Sequence, residues 1–122
     1  MKVFFTGTEY LPKLTPEIMT RIFKVTKLEA EILIGNYREF DELALGFLFI
    51  LEYPKVTVYE TGSKVNLDYP IVHVGRYPAQ DIAMSQAADY MLAIYDGKSR
   101  GVAANLLRMP RHRIRIIRVK DA

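Results

Sequence analysis

The stretch IYDGKSRGVAANLL, residues 94–107, combines residue types at a spacing that favours binding of an anion. An apolar run gives way to an aspartate and a glycine, a second glycine follows, and apolar residues then recur with helical spacing. Glycine lets a ligand approach the backbone, and amides in the first turn of a helix have no intrahelical acceptor. A serine hydroxyl and two basic side chains add donors and positive charge. We therefore predict a phosphate site in this turn, at Asp96, Gly97, Lys98, Ser99, Arg100 and Gly101.

Two other predicted strands also end in a glycine followed by polar residues. The first ends in TGTEY, which contains Gly7 and Thr8, and the second ends in IGNYREFD, which contains Gly35 and Tyr37. In a parallel sheet the carboxyl ends of the strands meet at one edge, and ligands bind there. Tyr37 is the best candidate to stack on a base, since tyrosine has a large apolar ring with a polar tip.

Three carboxylates could take part in chemistry at this edge, namely Glu9, Asp41 and Asp96. A carboxylate beside a glycosidic bond can stabilise or attack the oxocarbenium-like centre that forms as the bond breaks. Each also has a structural interpretation: Asp41 suits the first turn of a helix, Asp96 suits a side-chain cap in a turn, and Glu9 suits a solvated loop. His73 lies between two valines without an evident acid or nucleophile beside it, which favours a structural histidine over a catalytic one.

Apolar runs alternate with helical patterns along the whole chain. Strands are predicted at residues 2–6, 30–36, 56–61, 90–96 and 113–119, with a short strand or extended segment at 71–75. Helices are predicted at 15–29, 38–53, 78–89 and 100–109, and a polar loop at 62–70. This alternation predicts one Rossmann-like, three-layer α/β/α domain over residues 1–122, with a mainly parallel sheet of about five strands.

The composition is that of an ordinary globular domain, with half of the 122 residues hydrophobic and a quarter charged. The chain has no cysteine and two histidines, so we predict neither a metal site nor a cofactor. The opening MKVFFTGTEY has too few apolar residues for a signal peptide, and the longest apolar run, LALGFLFIL, is far short of a membrane span. We therefore expect a cytoplasmic protein without membrane contact.

Basic residues are concentrated in the last fifteen residues, RMPRHRIRIIRVKDA. The arginines alternate with Ile114, Ile116 and Val119, which is typical of a strand with one buried face. This favours an edge strand whose solvent face is rich in arginine and protected against edge-to-edge pairing. Binding of a nucleic acid by the arginines stays an alternative.

Three segments together resemble the SLOG superfamily, and most closely its YspA-type branch. FFTGTEY is similar to the family's first strand and turn, ILIGNYREFDELA to its strand, glycine turn and helix, and QDIAMSQAADYMLAIYDGKSRG to its methionine-bearing helix, strand and last turn. The family pattern falls on Gly7, Thr8, Gly35, Arg38, Asp41, Met84, Asp89, Asp96, Gly97, Ser99, Arg100 and Gly101.

The resemblance implies a Rossmann-like domain that binds a nucleotide or a nucleotide-derived small molecule. It places Asp41 and Asn105 at a ribose, Tyr37 at the base and the last glycine turn at the phosphate. The LOG phosphoribohydrolases and nucleoside 2-deoxyribosyltransferases carry a catalytic glutamate where Asn105 stands here. Whether this chain is an enzyme therefore stays open. Cleavage or transfer at an N-glycosidic bond is the alternative to binding alone, and DprA-like nucleic-acid binding is the third.

The second predicted helix is more hydrophobic than a single core-facing stripe requires. Its C-terminal half carries large apolar residues around most of its circumference, at Phe47, Phe49, Ile50 and Leu51. SLOG relatives often pair. We therefore predict a homodimer or a higher homo-oligomer that uses this helix.

Overall fold

The structure is a computed structural model that describes residues 1–60 and 69–120. Its elements, in chain order, are β1 (Lys2–Gly7), α1 (Pro16–Lys27), β2 (Glu31–Ile34), α2 (Glu39–Ile50), β3 (Val56–Glu60), β4 (Ile71–His73), α3 (Ala79–Ala87), β5 (Tyr90–Tyr95), α4 (Arg100–Leu106) and β6 (Ile114–Arg118). The predicted order of strands and helices is confirmed, with element ends shifted by a few residues. Of the predicted polar loop, residues 62–68 lie outside the described part of the chain.

The strands form one sheet in the order β4-β3-β2-β1-β5-β6, and every neighbouring pair is parallel. The fold is therefore a Rossmann-like α/β domain, as predicted. The sheet has six strands where about five were expected, because the three residues of β4 pair with β3, Tyr59 opposite Val72. The chain builds outward from β1 to β4 and then returns to place β5 on the other side of β1. The junction of β1 and β5 is thus the switch point of the topology.

Two helices cover each face of the sheet. Buried residues of α1 and α2, such as Ile22 and Leu48, pack with Phe5 and Ile32 on one face. On the opposite face Met84 of α3 and Val102 of α4 pack with a second set of strand residues, Phe4, Leu33, Met91 and Ala93. Helices on both faces leave the sheet edges as the places where polar side chains collect.

Local sequence signals fix the start of α1. The Thr15 hydroxyl oxygen accepts a hydrogen bond from the N–H of Ile18 at 3.2 Å, and Pro16 takes the first helical position. The predicted apolar stripe of Ile18, Ile22 and Val25 is buried. The N-cap and the stripe therefore agree, and both were readable from residue types alone.

The final strand differs from its prediction in the face that it buries. Ile114 and Ile117 are buried, whereas Ile116, predicted to be buried, is only half-buried. Ile114 packs on the α3 and α4 side and Ile117 on the α1 and α2 side, so the strand is partly covered on both faces. Arg115 and Arg118 are exposed and β6 is an edge strand, as predicted.

Candidate functional site

The carboxyl ends of β1 and β5 meet at the switch point. There the Thr8 hydroxyl donates to Oδ2 of Asp96 at 2.7 Å, and the Thr8 amide donates to the carbonyl oxygen of Ile94 at 2.9 Å. Ligands of open α/β sheets bind beside such a point. The contact joins two of the turns that the sequence predicted to converge.

Asp96 organises the turn that follows β5. Its Oδ1 accepts hydrogen bonds from the amides of Lys98 and Ser99, each at 2.8 Å. Burial alone would raise the pKa of Asp96, but the hydrogen bonds from Thr8 and from these amides outweigh it and lower the pKa below its ordinary value. Asp96 is therefore an ionised turn cap, which confirms its structural interpretation. Because the amides of Lys98 and Ser99 already donate to Asp96, they are not free to bind a phosphate. The predicted phosphate site is therefore limited to the amides in the first turn of α4.

The rest of this turn has the geometry that its residues predict. Gly97 has a φ of +85°, a conformation that L side chains rarely adopt. Ser99 is the N-cap of α4, and its hydroxyl oxygen accepts from the N–H of Val102 at 3.4 Å. The serine thus stabilises the helix start.

A polar cluster, buried except for Tyr37, lies next to the turn, and we call it the Arg38–Asp81 cluster. Its members are Thr6, Tyr37, Arg38, Asp81 and Asn105. Oδ2 of Asp81 accepts three hydrogen bonds, from Nη2 of Arg38 at 2.9 Å, Nδ2 of Asn105 at 3.0 Å and the Tyr37 hydroxyl at 3.1 Å. Nδ2 of Asn105 also donates to the Thr6 hydroxyl oxygen at 3.0 Å. Arg38 is 3% exposed and Asp81 1%, so an ion pair lies inside the protein at the sheet edge.

The hydrogen bonding of this cluster is incomplete within the described part of the chain. Nε of Arg38 and Oδ1 of Asp81 are buried without a partner, as are both polar atoms of the neighbouring Gln80 side chain. A buried polar group without a hydrogen bond costs about 1–3 kcal/mol. Such groups are rare in native proteins, and each calls for an explanation. The cluster therefore has capacity for a further polar partner.

Asp41 is completely buried at the start of α2. Its Oδ2 accepts from the amides of Tyr37 and Arg38, both at 3.2 Å, while Oδ1 has no partner among the described residues. Burial raises the pKa of Asp41 to about 6, although the Arg38 guanidinium and the two amides act in the opposite direction. Asp41 thus serves the helix start, as its structural interpretation predicts, and it titrates close to neutral pH.

Two other predicted ligand contacts are internal. Oδ1 of Asn105 accepts from Nε of Arg108 at 3.1 Å, so both polar atoms of its buried amide have partners within the protein. Met84 is buried in the core against Phe4 and Leu33. Contact of either residue with a ligand stays a prediction.

An aromatic surface adjoins the cluster. The rings of Tyr37 and Tyr77 are 41% and 52% exposed and meet edge to face, with centroids 5.7 Å apart. The guanidinium carbon of Arg38 lies 4.3 Å from the centroid of the Tyr37 ring. Burial, then the nearby carboxylate of Asp81, raises the pKa of Tyr37 despite the opposing effect of Arg38. The phenol therefore stays protonated and acts as a donor.

The structure gives Gly101 a role that the sequence did not predict. A Cβ atom at this position would lie 2.4 Å from Nη2 of Arg38 and 3.2 Å from the Tyr77 hydroxyl. Glycine at position 7 likewise leaves room for the Phe40 side chain, because a Cβ there would overlap the Phe40 ring. Glycine at 101 is thus required by the buried guanidinium, whether or not a phosphate approaches.

Gly101→Ala is expected to lower the free energy of unfolding by about 1–3 kcal/mol, because the added methyl group overpacks the cluster. The matched control is Gly46→Ala in α2, where a Cβ would meet nothing within 4 Å. That exposed helical change is expected to stabilise the protein by about 0.5–1 kcal/mol. Urea denaturation of both variants measures the difference. Equal effects at the two positions would contradict the close approach of Arg38 to Gly101.

Several members of the site were not predicted from the sequence. Thr6 stands inside an apolar strand, and Asp81 has the ordinary look of a first-turn acid in α3. Tyr77 comes directly before that helix begins. The one signal available was the acid itself, since a charged residue close to the buried Met84 is unusual enough to need a partner.

His73 is an edge-strand histidine with a polar partner, which agrees with its structural interpretation, but the sequence did not indicate that partner. Its Nδ1 lies 2.6 Å from Oε1 of Glu60, a buried carboxylate at the end of β3. An acid therefore stands beside this histidine after all, because β3 and β4 pair with Glu60 opposite His73. The sequence could not indicate this, since the contact depends on the strand register.

The chain matches no protein-family model, and neither a curated protein nor a solved structure is similar enough to match it. Within residues 1–60 and 69–120, no helix is both long enough and apolar enough to cross a membrane. The same residues contain no group of three or more potential metal-ligating side chains.

Proposed function

We propose that the protein binds a nucleotide or a nucleotide-derived small molecule at the carboxyl edge of the sheet, over the junction of β1 and β5. The observation that carries the proposal is the Arg38–Asp81 cluster. A charged cluster that is buried and incompletely paired is costly to maintain, and such clusters concentrate at functional sites. Its place at the switch point is where ligands of this fold class bind.

The surroundings of the cluster match the parts of a nucleotide. Tyr37 and Tyr77 offer aromatic rings to a base. The exposed Arg100 opens α4, where the first amides lack intrahelical acceptors and favour a phosphate. The ligand then adds the polar partners that Arg38 and Asp81 lack.

A melting-shift screen with nucleotides, NAD derivatives and cyclic nucleotides tests the proposal directly. A ligand that binds only the folded protein raises its stability by about 2.7 kcal/mol at a concentration of 100 times Kd. Tyr37→Leu should weaken the shift, whereas Tyr90→Leu, a half-exposed tyrosine at the opposite edge, should not. No shift with any compound of these classes would contradict the proposal.

Arg100→Ala is expected to weaken binding of the ligand found by the screen by about 1–3 kcal/mol, the range for a hydrogen bond to a charged group. The exposed Arg111 lies near the amino end of β6 and provides the control, Arg111→Ala. Isothermal titration calorimetry gives both affinities. If Arg100→Ala binds as tightly as the parent, the phosphate lies elsewhere on this edge.

The second candidate function is cleavage at an N-glycosidic bond, and the raised pKa of Asp41, about 6, is the observation that favours it. We nevertheless expect no activity, because Asn105 occupies the position of the glutamate in the enzymes that the sequence resembles. Incubation with nucleoside monophosphates, followed by chromatography, measures release of free base. Steady release that Asp41→Asn abolishes would make the protein an enzyme.

We also propose that the protein self-associates through α2. Phe49 and Ile50 on this helix are 58% and 77% exposed. Two large apolar side chains next to each other on one surface mark an interaction site more often than scattered ones do. Light scattering that finds a monomer at high micromolar concentration would contradict self-association without bearing on ligand binding.

A further inference from the structure

A groove runs along the edge of the sheet between α1 and β6. Its main part has a volume of about 570 Å³ and is floored by apolar residues such as Val3, Val25 and Leu92. It continues toward the carboxyl end of β6 as a second cavity, lined on one side by α1 and on the other by Arg115 and Ile117. The groove exists because α1 connects β1 to β2, and β5 separates those strands from β6.

The second cavity itself measures about 320 Å³ and shares Arg21, Arg115 and Ile116 with the main part. The two cavities therefore form one continuous groove along β6.

The rim of the groove is strongly basic. Arg21 of α1 and the segment just before and within β6 supply the basic residue types in the lining of the main part, Arg21, Arg111, His112, Arg113 and Arg115. Within the described residues, neither ion pair involves these side chains, and the one acid in the lining of the groove is Glu17, in the second cavity. An apolar floor with a basic rim fits an amphipathic helix whose exposed side carries acids.

The exposed side of α2 has this character. From Glu39 to Ile50 the helix contains acidic residues and no basic one, and Glu52 follows directly after it. Glu42, Gly46, Phe49 and Ile50 are all exposed, and their spacing of four, seven and eight residues places them on one side of the helix. The twelve residues of α2 span about 18 Å, close to the roughly 16 Å of the five-residue β6.

We propose that the groove between α1 and β6 receives α2 of a second copy of this chain. The exposed Glu42 of α2 and Glu52 directly after it face the arginines of the rim, and Phe49 and Ile50 cover the apolar floor. The inference rests on the self-association proposed above and names the surface that α2 contacts. It is independent of the ligand site, which lies at the carboxyl edge.

Charge reversal tests the contact. Arg113→Glu/Arg115→Glu reverses the groove, Glu42→Lys/Glu52→Lys reverses α2, and all four residues are exposed. Sedimentation velocity should show that the parent associates and that each variant alone dissociates, with a Kd raised about tenfold or more by like charges in contact. A 1:1 mixture of the two variants should associate again, because each groove then faces a helix of opposite charge. Lys13→Glu/Arg76→Glu, an exposed pair outside both surfaces, should associate as the parent does.

Three other outcomes would contradict the inference, and each has a different interpretation. A monomeric parent removes self-association altogether. An oligomeric parent that is insensitive to groove reversal keeps self-association and assigns α2 a different contact surface. A monomer that binds a labelled single-stranded oligonucleotide through the groove, with strong salt dependence, assigns the arginines to a phosphate backbone instead. Melting shifts with nucleotides should be unchanged in both charge-reversed variants. Loss of nucleotide binding can therefore be distinguished from loss of self-association.

Discussion

Asp81→Ala is expected to lower the free energy of unfolding by about 3–5 kcal/mol, the cost of removing one partner from a buried ion pair. The change leaves the buried Arg38 without its carboxylate, and it deprives Asn105 and the Tyr37 hydroxyl of their common acceptor. Chemical denaturation measures the loss. Asp89→Ala is the control, because Asp89 is an exposed acid between α3 and β5 whose one side-chain hydrogen bond, from the Lys2 amide, lies at the surface, so its loss is expected to cost about 1 kcal/mol or less.

A double variant separates the charge effect from loss of packing. Arg38→Met/Asp81→Leu replaces the ion pair by apolar side chains and removes both of its charges. We expect it to be more stable than Asp81→Ala, since replacing both partners is much less costly than removing one. If the double variant is less stable than Asp81→Ala, the ion pair makes a net contribution to stability. The loss in Asp81→Ala would then not arise mainly from leaving the Arg38 charge buried without a partner.

Stability should also fall as pH rises from about 4 to about 7, through the titration of Asp41. The pKa of Asp41 rises from 3.8 to about 6 on burial. Between these values the folded protein holds a proton that the unfolded chain has released, so raising the pH favours unfolding. The shift corresponds to about 3 kcal/mol, present below pH 4 and lost as the pH passes 6.

The measurement compares the parent with Asp41→Asn at several pH values in this range. The amide cannot titrate, and its oxygen can still accept from the amides of Tyr37 and Arg38. The difference in unfolding free energy between parent and variant should therefore change with pH, in the parent's favour at the acidic end. Asp96 does not obscure the comparison, because its lowered pKa places its own titration at more acidic pH in both proteins. A difference that stays constant from pH 4 to 7 would contradict a buried, protonated Asp41.

The fold could be predicted from the sequence because its signals are local. Thr15 and Pro16 fix the start of α1, and continuous apolar runs such as that of β2 indicate strands covered on both faces. The final strand was placed correctly but buries Ile117 in place of Ile116, because a simple alternation assumes that one face alone is covered.

For the candidate site, the sequence indicated the region but few of the contacts. Glycines and polar residues at the strand ends indicated the edge where the Arg38–Asp81 cluster lies, and Asp96 and Gly97 form a turn there. The pairing of Arg38 with Asp81 could not be read, since the two residues stand 43 positions apart and each looks ordinary beside its own neighbours. The need for glycine at position 101 could not be predicted either, because the side chain that packs against Gly101 is that of Arg38, which is distant in sequence.

The strand order also determines when the binding edge can form during synthesis. β1 pairs with β2, which follows closely, but also with β5, where Val3 lies opposite Tyr90. The hydrogen bond between Thr6 and Asn105 joins residues 99 positions apart. As the chain leaves the ribosome from its amino end, β1 to β4 can pair while one side of β1 is still open. The proposed ligand site is therefore completed only once β5 and α4 have folded onto β1, and occupancy by ligand would report that this step has taken place.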